Sequence, residues 1–417
     1  MTCILELNDA DLTLYRDATV LHRSPGVAVV LDDAVHFGDE ALRLSRIHPR
    51  QTNQQYFTRL NADPLTAPGR RARNHADLVY LHLQTFKPLI EAEGGDVLLA
   101  VPGILSADQL GVLLGVLQEL GIRVSGFVDA AVAAAAGRAL PERAFHLEVM
   151  MQRAVVTELE TTGAGEVRKA GAQEVLECGL SRLMESWIDV IADRFVRETR
   201  FDPLHAAATE QQLFDQVHAW LERPGTAELA IEIDHGDQQR RVDLGRSVLE
   251  DKAGQRFRLL ADVVPRGAAL LVSGRAARLP GLQRSLDELG AQADALETGA
   301  LARGCMDNLD RIVPRDGELR LVTRLPAGGR PAGEPPRAAA APPTHVLEGA
   351  DAWPVSASPA PLRTESAGVM LSPGPDVRLN GEPLAAPAPV TPGDRVTVGD
   401  RTFVMIRVLE AGTPAGG

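Results

Sequence analysis

The sequence predicts an α/β region made of two successive halves with a cleft between them, followed by a small all-β sandwich. Three observations support this prediction. Strand-like apolar runs alternate with amphipathic helical segments from the N-terminus to about residue 325. The composition then changes abruptly at Pro326. Beyond that point, short strand-like segments are separated by turn signals such as Asn380 followed by Gly381.

The first half shows regular alternation of the two kinds of segment. The amphipathic spacing of residues 76–92 predicts a helix, and Ser106 is placed to cap a helix that runs to residue 120. A further helix is predicted over the Ala-rich residues 130–138. The predicted strands of this half are residues 3–7, 12–15, 27–31, 97–101 and 124–127.

The second half begins with a predicted hairpin, formed by residues 145–149 and 154–159. A long amphipathic helix over residues 181–200 follows. Residues 270–272 predict a buried strand, and residues 280–289 a helix behind it.

Residues 326–343 contain only Pro, Ala and Gly apart from Arg330, Glu334 and Arg337. Such a segment buries little apolar surface, so an extended, mobile linker is predicted. The predicted β domain spans residues 344–410, with strands at 377–379, 395–398 and 402–408, and residues 411–417 are predicted to be a disordered tail.

The bulk composition bears on location and on partners. The 417 residues carry a formal net charge of −13, which argues against a nucleic-acid or anionic-membrane surface. Three scattered cysteines without metal-ligand spacing favour a reducing compartment. No membrane-length apolar run and no leader pattern occurs, so the expected location is the cytoplasm, without membrane insertion.

Residues 96–137 resemble the ATPase domain of DnaK-type chaperones, the heat shock protein 70 family. That family has a strand ending in Val-Pro, a helix entered through an acidic residue and Gln, and an Ala-rich helix. Val101 with Pro102, Asp108 with Gln109, and the segment from Asp129 onward stand in those places.

Three further segments resemble the same family in the same order: residues 24–42, 270–286 and 297–306. Together these likenesses span residues 1–325. The resemblance implies a two-lobed, actin-like ATPase fold, with lobe I at about residues 1–140 and lobe II at about residues 141–325.

The sequence departs from the family at both phosphate-binding turns. The family uses glycine there because the backbone approaches the phosphates closely. The first turn carries Asn8 and Asp9 instead, and Asp9 would repel phosphate. The second turn carries Met150, Met151 and Gln152, and its side chains are expected to fill the phosphate space.

Two more departures concern the rest of the nucleotide site. The family places a lysine near the γ-phosphate, but no lysine precedes Lys87, and Arg59 is the nearest cation. The adenosine loop keeps Gly274 but has Ser273 where the family has another glycine. The resemblance with these departures implies a domain that has lost ATP hydrolysis. No catalytic residue, metal or cofactor is therefore expected, and the vestigial cleft positions are Glu6, Asn8, Asp9, Met150, Met151, Gln152, Ser273 and Gly274.

The C-terminal residues 376–384 and 390–408 resemble part of a forkhead-associated domain. That family reads phosphothreonine with a Gly-Arg pair and a Ser-x-x-His motif. Neither is present, and Arg363 is the only cation between residues 353 and 376. Phosphopeptide binding requires several donors, so this role is kept only as an alternative.

The expected function is a pseudo-ATPase that serves as a protein-binding scaffold or adaptor. Its partner would be a true DnaK-like chaperone or a component of a bacterial assembly, and not a nucleic acid. A divergent nucleotide-binding chaperone, with ATP as its ligand, is the second alternative.

Several of the candidate residues have simpler interpretations. Glu6 and Asp9 are interpreted as solvated turn residues rather than a metal-binding pair, and Glu148 as a residue on a strand face rather than a base. Cys178 precedes a helix start, where a thiolate would be stabilised, but a structural cysteine is favoured. For Met150 and Met151, core filling is favoured over a role in lining a hydrophobic pocket.

Overall fold

The computed structural model describes residues 3–223, 227–314, 318–328, 343–348, 351–365, 368–374, 376–380, 382–384, 387–390, 392–399 and 401–406. Contacts divide the chain into two compact units, Met1–Ala332 and Gly333–Gly417. Most of the predicted linker and the predicted tail, residues 411–417, lie outside the described residues.

The first half of the N-terminal unit contains eight strands and five helices among the described residues. The strands are β1 (Cys3–Glu6), β2 (Leu12–Arg16), β3 (Thr19–Ser24), β4 (Ala28–Val30), β5 (Val35–Phe37), β6 (Thr52–Asn53), β7 (Asp96–Val101) and β8 (Arg123–Asp129). The helices are α1 (Gly38–Leu42), α2 (Tyr56–Arg59), α3 (His75–Ala92), α4 (Ala107–Glu119) and α5 (Ala130–Ala135).

The second half continues the alternation of strands and helices. Its strands are β9 (Arg143–Val149), β10 (Ala154–Thr161), β11 (Glu166–Val175), β12 (Glu228–His235), β13 (Gln238–Gly245), β14 (Ala269–Val272), β15 (Gln292–Ala295), β16 (Leu321–Val322) and β17 (Arg324–Pro326). Its helices are α6 (Leu180–Thr199), α7 (Ala207–Leu221), α8 (Arg246–Phe257), α9 (Leu282–Leu289), α10 (Ala300–Met306) and α11 (Leu309–Ile312).

In the two six-stranded sheets of the N-terminal unit, five strands follow one order: β3-β2-β1-β7-β8 in the first sheet corresponds to β11-β10-β9-β14-β15 in the second. The first sheet runs β3-β2-β1-β7-β8-β16, and the second runs β17-β11-β10-β9-β14-β15. In both, the first strand of the half pairs antiparallel with the strand after it and parallel with a later strand. The repeated order places the β1–β2 turn and the β9–β10 turn at equivalent positions in the two halves. The unit is therefore α/β, as predicted.

Most predicted elements of this unit are present, with ends shifted by a few residues. The predicted Ser106 cap is confirmed: its side chain accepts the Gln109 N–H, and the Gln109 side chain accepts the Ser106 N–H in return. The predicted hairpin is β9 and β10, and the predicted long helix is α6. The linker boundary differs, because Pro326 belongs to β17, which pairs with β11.

The hairpin of β12 and β13 and the helices on either side of it, α7 and α8, are not among the predicted elements. In β12, Leu229, Ile231 and Ile233 are buried while the intervening side chains are exposed. This strict alternation is the signal of a half-buried strand.

The two halves meet along a layer of small side chains. Every residue of α5 is buried, and the helix packs on α10 in an apolar cluster that also contains residues from both large sheets. A Cβ at Gly304 of α10 would lie 1.9 Å from the carbonyl oxygen of Ala133 in α5. Glycine at residue 304 thus permits the close approach of these helices.

This contact predicts opposite effects for two glycine-to-alanine substitutions. Gly304→Ala forces the α5 and α10 backbones apart and should lower the free energy of unfolding by about 2 kcal/mol. Gly115→Ala, in the middle of α4 with nothing within 4 Å of the added methyl group, should raise it by about 0.5–1 kcal/mol. Urea unfolding of both variants measures the difference, and equal effects would show that α5 and α10 do not depend on the glycine.

The C-terminal unit contains only strands and one short 3-10 helix among its described residues. The strands form a six-stranded sheet and a three-stranded sheet around one apolar core that includes Val346, Leu371 and Phe403. The predicted strands at 377–379 and 395–398 are confirmed, and the third is shifted to start at Arg401. The strands of the unit are β18 (His345–Glu348), β19 (Asp351–Pro354), β20 (Leu362–Glu365), β21 (Gly368–Leu371), β22 (Val377–Leu379), β23 (Glu382–Pro383), β24 (Ala388–Val390), β25 (Arg395–Val398) and β26 (Arg401–Ile406).

Candidate functional site: the cleft between the two halves

The turn after β1 and the turn after β9 are joined directly by hydrogen bonds. Asn8 donates from Nδ2 to Glu148 Oε1 at 2.7 Å and to the Val149 carbonyl at 3.2 Å. Its Oδ1 accepts the Ala10 N–H at 2.9 Å, which fixes the first turn. Asn8 is 2% exposed, so this side chain spans the cleft in a position that water does not reach.

Asp9 makes the second connection between the turns. Its Oδ1 accepts the backbone N–H of Met151 at 2.7 Å, and its Oδ2 accepts the Thr58 hydroxyl at 3.0 Å. The Asp9 carbonyl also accepts the Gly26 N–H at 2.8 Å. Burial raises the pKa of Asp9, although these donors oppose the rise. The prediction that Asp9 is a solvated turn residue is therefore wrong.

Glu6 and Glu148 form a buried pair of carboxyl groups beneath the turns. The Tyr15 hydroxyl donates to Glu6 Oε2 at 2.6 Å. Burial, and then the charge of Glu6, raise the pKa of Glu148 to about 8. The pair thus holds a proton at neutral pH, as adjacent carboxyl groups do when they share one site. Glu6 is 8% exposed, so the interpretation of Glu6 as a solvated turn residue is also wrong.

The second turn closes the cleft in a different way from the one that the sequence predicts. Met151 packs in an apolar cluster that contains side chains of both halves, among them Val27 and Trp187. Gln152 crosses to the first half, where its Nε2 donates to the Gln54 carbonyl at 3.2 Å. Polar bonds from Asn8, Asp9 and Gln152 therefore join the two sides, in addition to the apolar packing of Met151.

The loop at Ser273 and Gly274 reaches the same region from the second half. The Ser273 N–H donates to the Leu147 carbonyl at 3.0 Å, and a Cβ at Gly274 would lie 2.6 Å from the Leu296 carbonyl oxygen. The cavity beside this loop, lined by residues that include Glu6 and Glu148, has a volume of about 50 Å³. Small-molecule pockets start at about 300 Å³, so a nucleotide does not fit there.

Arg275 is a cleft residue that the sequence analysis missed. Its Nη1 lies 2.9 Å from Asp11 Oδ2, and its Nη2 donates to the Asp11 carbonyl at 3.1 Å. Burial lowers the pKa of Arg275 to about 10, and the positive charge of Arg278 also lowers it. The ion pair ties the loop of the second half to the first turn.

A larger cavity lies beside the closed turns. Its volume is about 490 Å³, and its lining includes Ala10 and Asp11 of the first turn, Phe214 and His218 of α7, and Arg278. The prediction that the cleft is filled is thus right at the turns themselves and wrong for the space next to them.

Other sequence candidates lie away from this arrangement. Arg59 lines a different groove, which Gln152 of the second turn also lines, and it is not among the residues that line the cavity beside Gly274. Cys178 is buried with its pKa raised to about 12 by desolvation, which disfavours a thiolate. No group of three His, Cys, Asp or Glu side chains is arranged for a metal ion among the described residues. None of the described helices is both long and apolar enough to cross a membrane.

Neither protein-family models nor curated proteins give a match to this chain.

Proposed function

We propose that the N-terminal unit is an actin-like domain of the DnaK type that has lost ATPase activity and serves as a protein-binding scaffold or adaptor. The repeated strand order of the two large sheets supports the fold, because two like halves facing one cleft are its defining feature. The forkhead-associated-like assignment of the C-terminal unit belongs to the same proposal, supported by its two antiparallel sheets. Its partner would be a protein, such as a DnaK-like chaperone or a bacterial assembly component.

The hydrogen bonds between the two turns are the observation on which the loss of ATPase activity rests. An active relative has glycine at both turns, which leaves space for the phosphates and lets the backbone N–H groups reach them. Here Asn8 and Asp9 occupy that space and use the Met151 N–H, a backbone donor of the second turn, for an internal bond. Phosphate entry would break these bonds and bring three negative oxygens beside Asp9 and the Glu6–Glu148 pair.

Contacts farther out hold the two halves in one relative position. Arg46 donates to Glu185 of α6 at 2.6 Å and lies 3.2 Å from Glu210 of α7. Gln211 donates from Nε2 to the Leu42 carbonyl at 2.9 Å. A fixed relative position suits a scaffold, because a partner then loses less conformational freedom on binding.

The proposal predicts that the full chain neither binds nor hydrolyses Mg-ATP. Isothermal titration of the full chain with Mg-ATP should show no saturable heat, because the phosphate positions are occupied by side chains. The same preparation must unfold cooperatively on heating, which shows that the silent protein is folded. Binding in the micromolar range would contradict the proposal.

The 490 Å³ cavity favours a second candidate function, a divergent nucleotide-binding protein of the same family. Its volume falls in the range of small-molecule sites, about 300–1,000 Å³. Its lining includes Ala10 and Asp11 of the first turn but none of residues 150–153 of the second turn, so it would take the nucleoside part of a ligand beside the closed turns. This candidate is supported if adenosine binds at least as tightly as Mg-ATP. If neither ligand binds, the scaffold function remains the only candidate.

A further inference from the structure

A second groove of about 770 Å³ lies around β6 and the residues that flank it, and Gln152 and Glu185 of the second half complete its lining. Most of its side chains are polar, and its charged side chains are mainly basic. Arg46, Arg50 and Arg59 line it, whereas Glu185 is the only carboxylate among the described lining residues. The charged residues of the groove are thus mainly positive, although the chain as a whole has a net charge of −13.

The positive charge of the groove is available to a ligand. Arg46 already neutralises Glu185, with 2.6 Å between Nη2 and Oε1. The guanidinium groups of Arg50 and Arg59 are exposed and make no hydrogen bond or ion pair with any described residue. His75 adds no charge at neutral pH, because burial and the neighbouring Arg59 lower its pKa. Two free guanidinium groups therefore face the groove without an internal counter-ion.

The groove also offers groups that recognise a peptide backbone. Side-chain amides carry one donor group and one acceptor group side by side, as a peptide unit does. The amides of Gln51 and Gln55 have no partner among the described residues. The strand β6 is at the edge of the small sheet β5-β4-β6, so one of its sides carries no neighbouring strand in the described structure. Edge strands of this kind accept extended segments from other chains.

We propose that this groove binds an extended acidic segment of a partner protein. The inference rests on the proposed scaffold role, for which it specifies the chemistry of the partner. Acidic side chains pair with Arg50 and Arg59, while the amides of Gln51 and Gln55 bond the main chain. Single-stranded nucleic acid fits less well, because no Phe, Tyr or Trp for base stacking is among the described lining residues.

Charge reversal within the groove and outside it separates specific from general attraction. The full chain is titrated into a fluorescein-labelled peptide of alternating glutamate and serine, and fluorescence anisotropy is recorded. The double variant Arg50→Glu/Arg59→Glu should bind at least about tenfold more weakly than the unaltered chain, since two charge-assisted contacts are lost. The matched control is Arg70→Glu/Arg71→Glu, which changes the net charge equally at two exposed residues outside the groove lining. This control should bind as the unaltered chain does, and both variants should keep its thermal midpoint.

Three results would overturn the groove assignment. The first is the absence of saturable binding by the unaltered chain. The second is an equal loss in both double variants, which would show attraction to charge in general. The third is tighter, competing binding of an oligothymidine, which would make the groove a nucleic-acid site.

These results can be told apart from a failure of the proposed function. If neither the peptide nor Mg-ATP binds, the groove assignment is contradicted but the loss of ATPase activity is not. If titration with Mg-ATP gives saturable heat and the peptide still binds, only the proposed loss of ATP binding is contradicted.

Discussion

Replacing Asp9 by alanine should lower the free energy of unfolding of the full chain by about 4 kcal/mol. The carboxyl group accepts the Met151 N–H and the Thr58 hydroxyl in a fully buried position. Each lost bond leaves a buried donor without a partner, at about 1–3 kcal/mol apiece, and the truncated side chain leaves a void. Urea unfolding followed by tryptophan fluorescence measures the change.

Asp9→Asn is the matched control for this prediction. It keeps an oxygen that accepts the Met151 N–H and removes the ionisable group, whose pKa burial raises because it disfavours the charged form. Its effect should stay within about 1 kcal/mol. A loss below about 1 kcal/mol in the alanine variant would mean that the turns are not held together by this residue.

Replacing Glu148 by glutamine should remove a large pH dependence of stability. The pKa of Glu148 is about 8 in the folded chain and 4.5 as a free side chain. The folded state therefore binds more protons between these values, and its stability falls as the pH rises from 4.5 to 8. The slope is about 1.4 kcal/mol per pH unit between the two pKa values and smaller near each of them, so the loss from pH 4.5 to pH 8 amounts to about 4 kcal/mol. Glu6 and Asp9 face this carboxyl group, and their negative charges contribute to the rise of its pKa.

Glutamine suits this test because it reproduces the protonated carboxyl group. Its Oε1 still accepts from Asn8, and its amide still donates toward Glu6. The variant should match the unaltered chain near pH 4.5 and exceed its stability by about 4 kcal/mol at pH 9. Glu119→Gln, at an exposed residue of α4, should leave the pH curve unchanged. Parallel curves for the unaltered chain and Glu148→Gln would contradict the buried, protonated pair.

Local sequence signals predicted the alternation of elements but not the contacts of the cleft. The Ser106 capping box and the hairpin of β9 and β10 depend on residues a few positions apart, so they are visible in the sequence. Asn8 and Glu148 are separated by 140 positions, and their bond exists only because two separate sheets place their turns together. A sequence pattern over neighbouring residues cannot predict a contact between residues so far apart in the chain.

Burial of the acidic residues was missed for the same reason. Asp and Glu next to a turn are exposed in most proteins, so Glu6 and Asp9 were predicted as solvated. Here Tyr15 and Thr58 donate to them from neighbouring segments, and these partners make their burial tolerable. The sequence shows that the glycines are absent, but it does not show the contacts that Asn8 and Asp9 make in their place.

Amide hydrogen exchange at Met151 tests most directly whether the two turns are closed on each other. Its N–H is bonded to Asp9 Oδ1 at 2.7 Å, and its carbonyl accepts the Ser181 N–H at 2.9 Å. The closed cleft predicts strong protection of this amide without nucleotide, and the same protection when millimolar Mg-ATP is added. Rapid exchange without nucleotide that slows on addition of Mg-ATP would show an open turn that takes phosphate, and would contradict the inactive cleft.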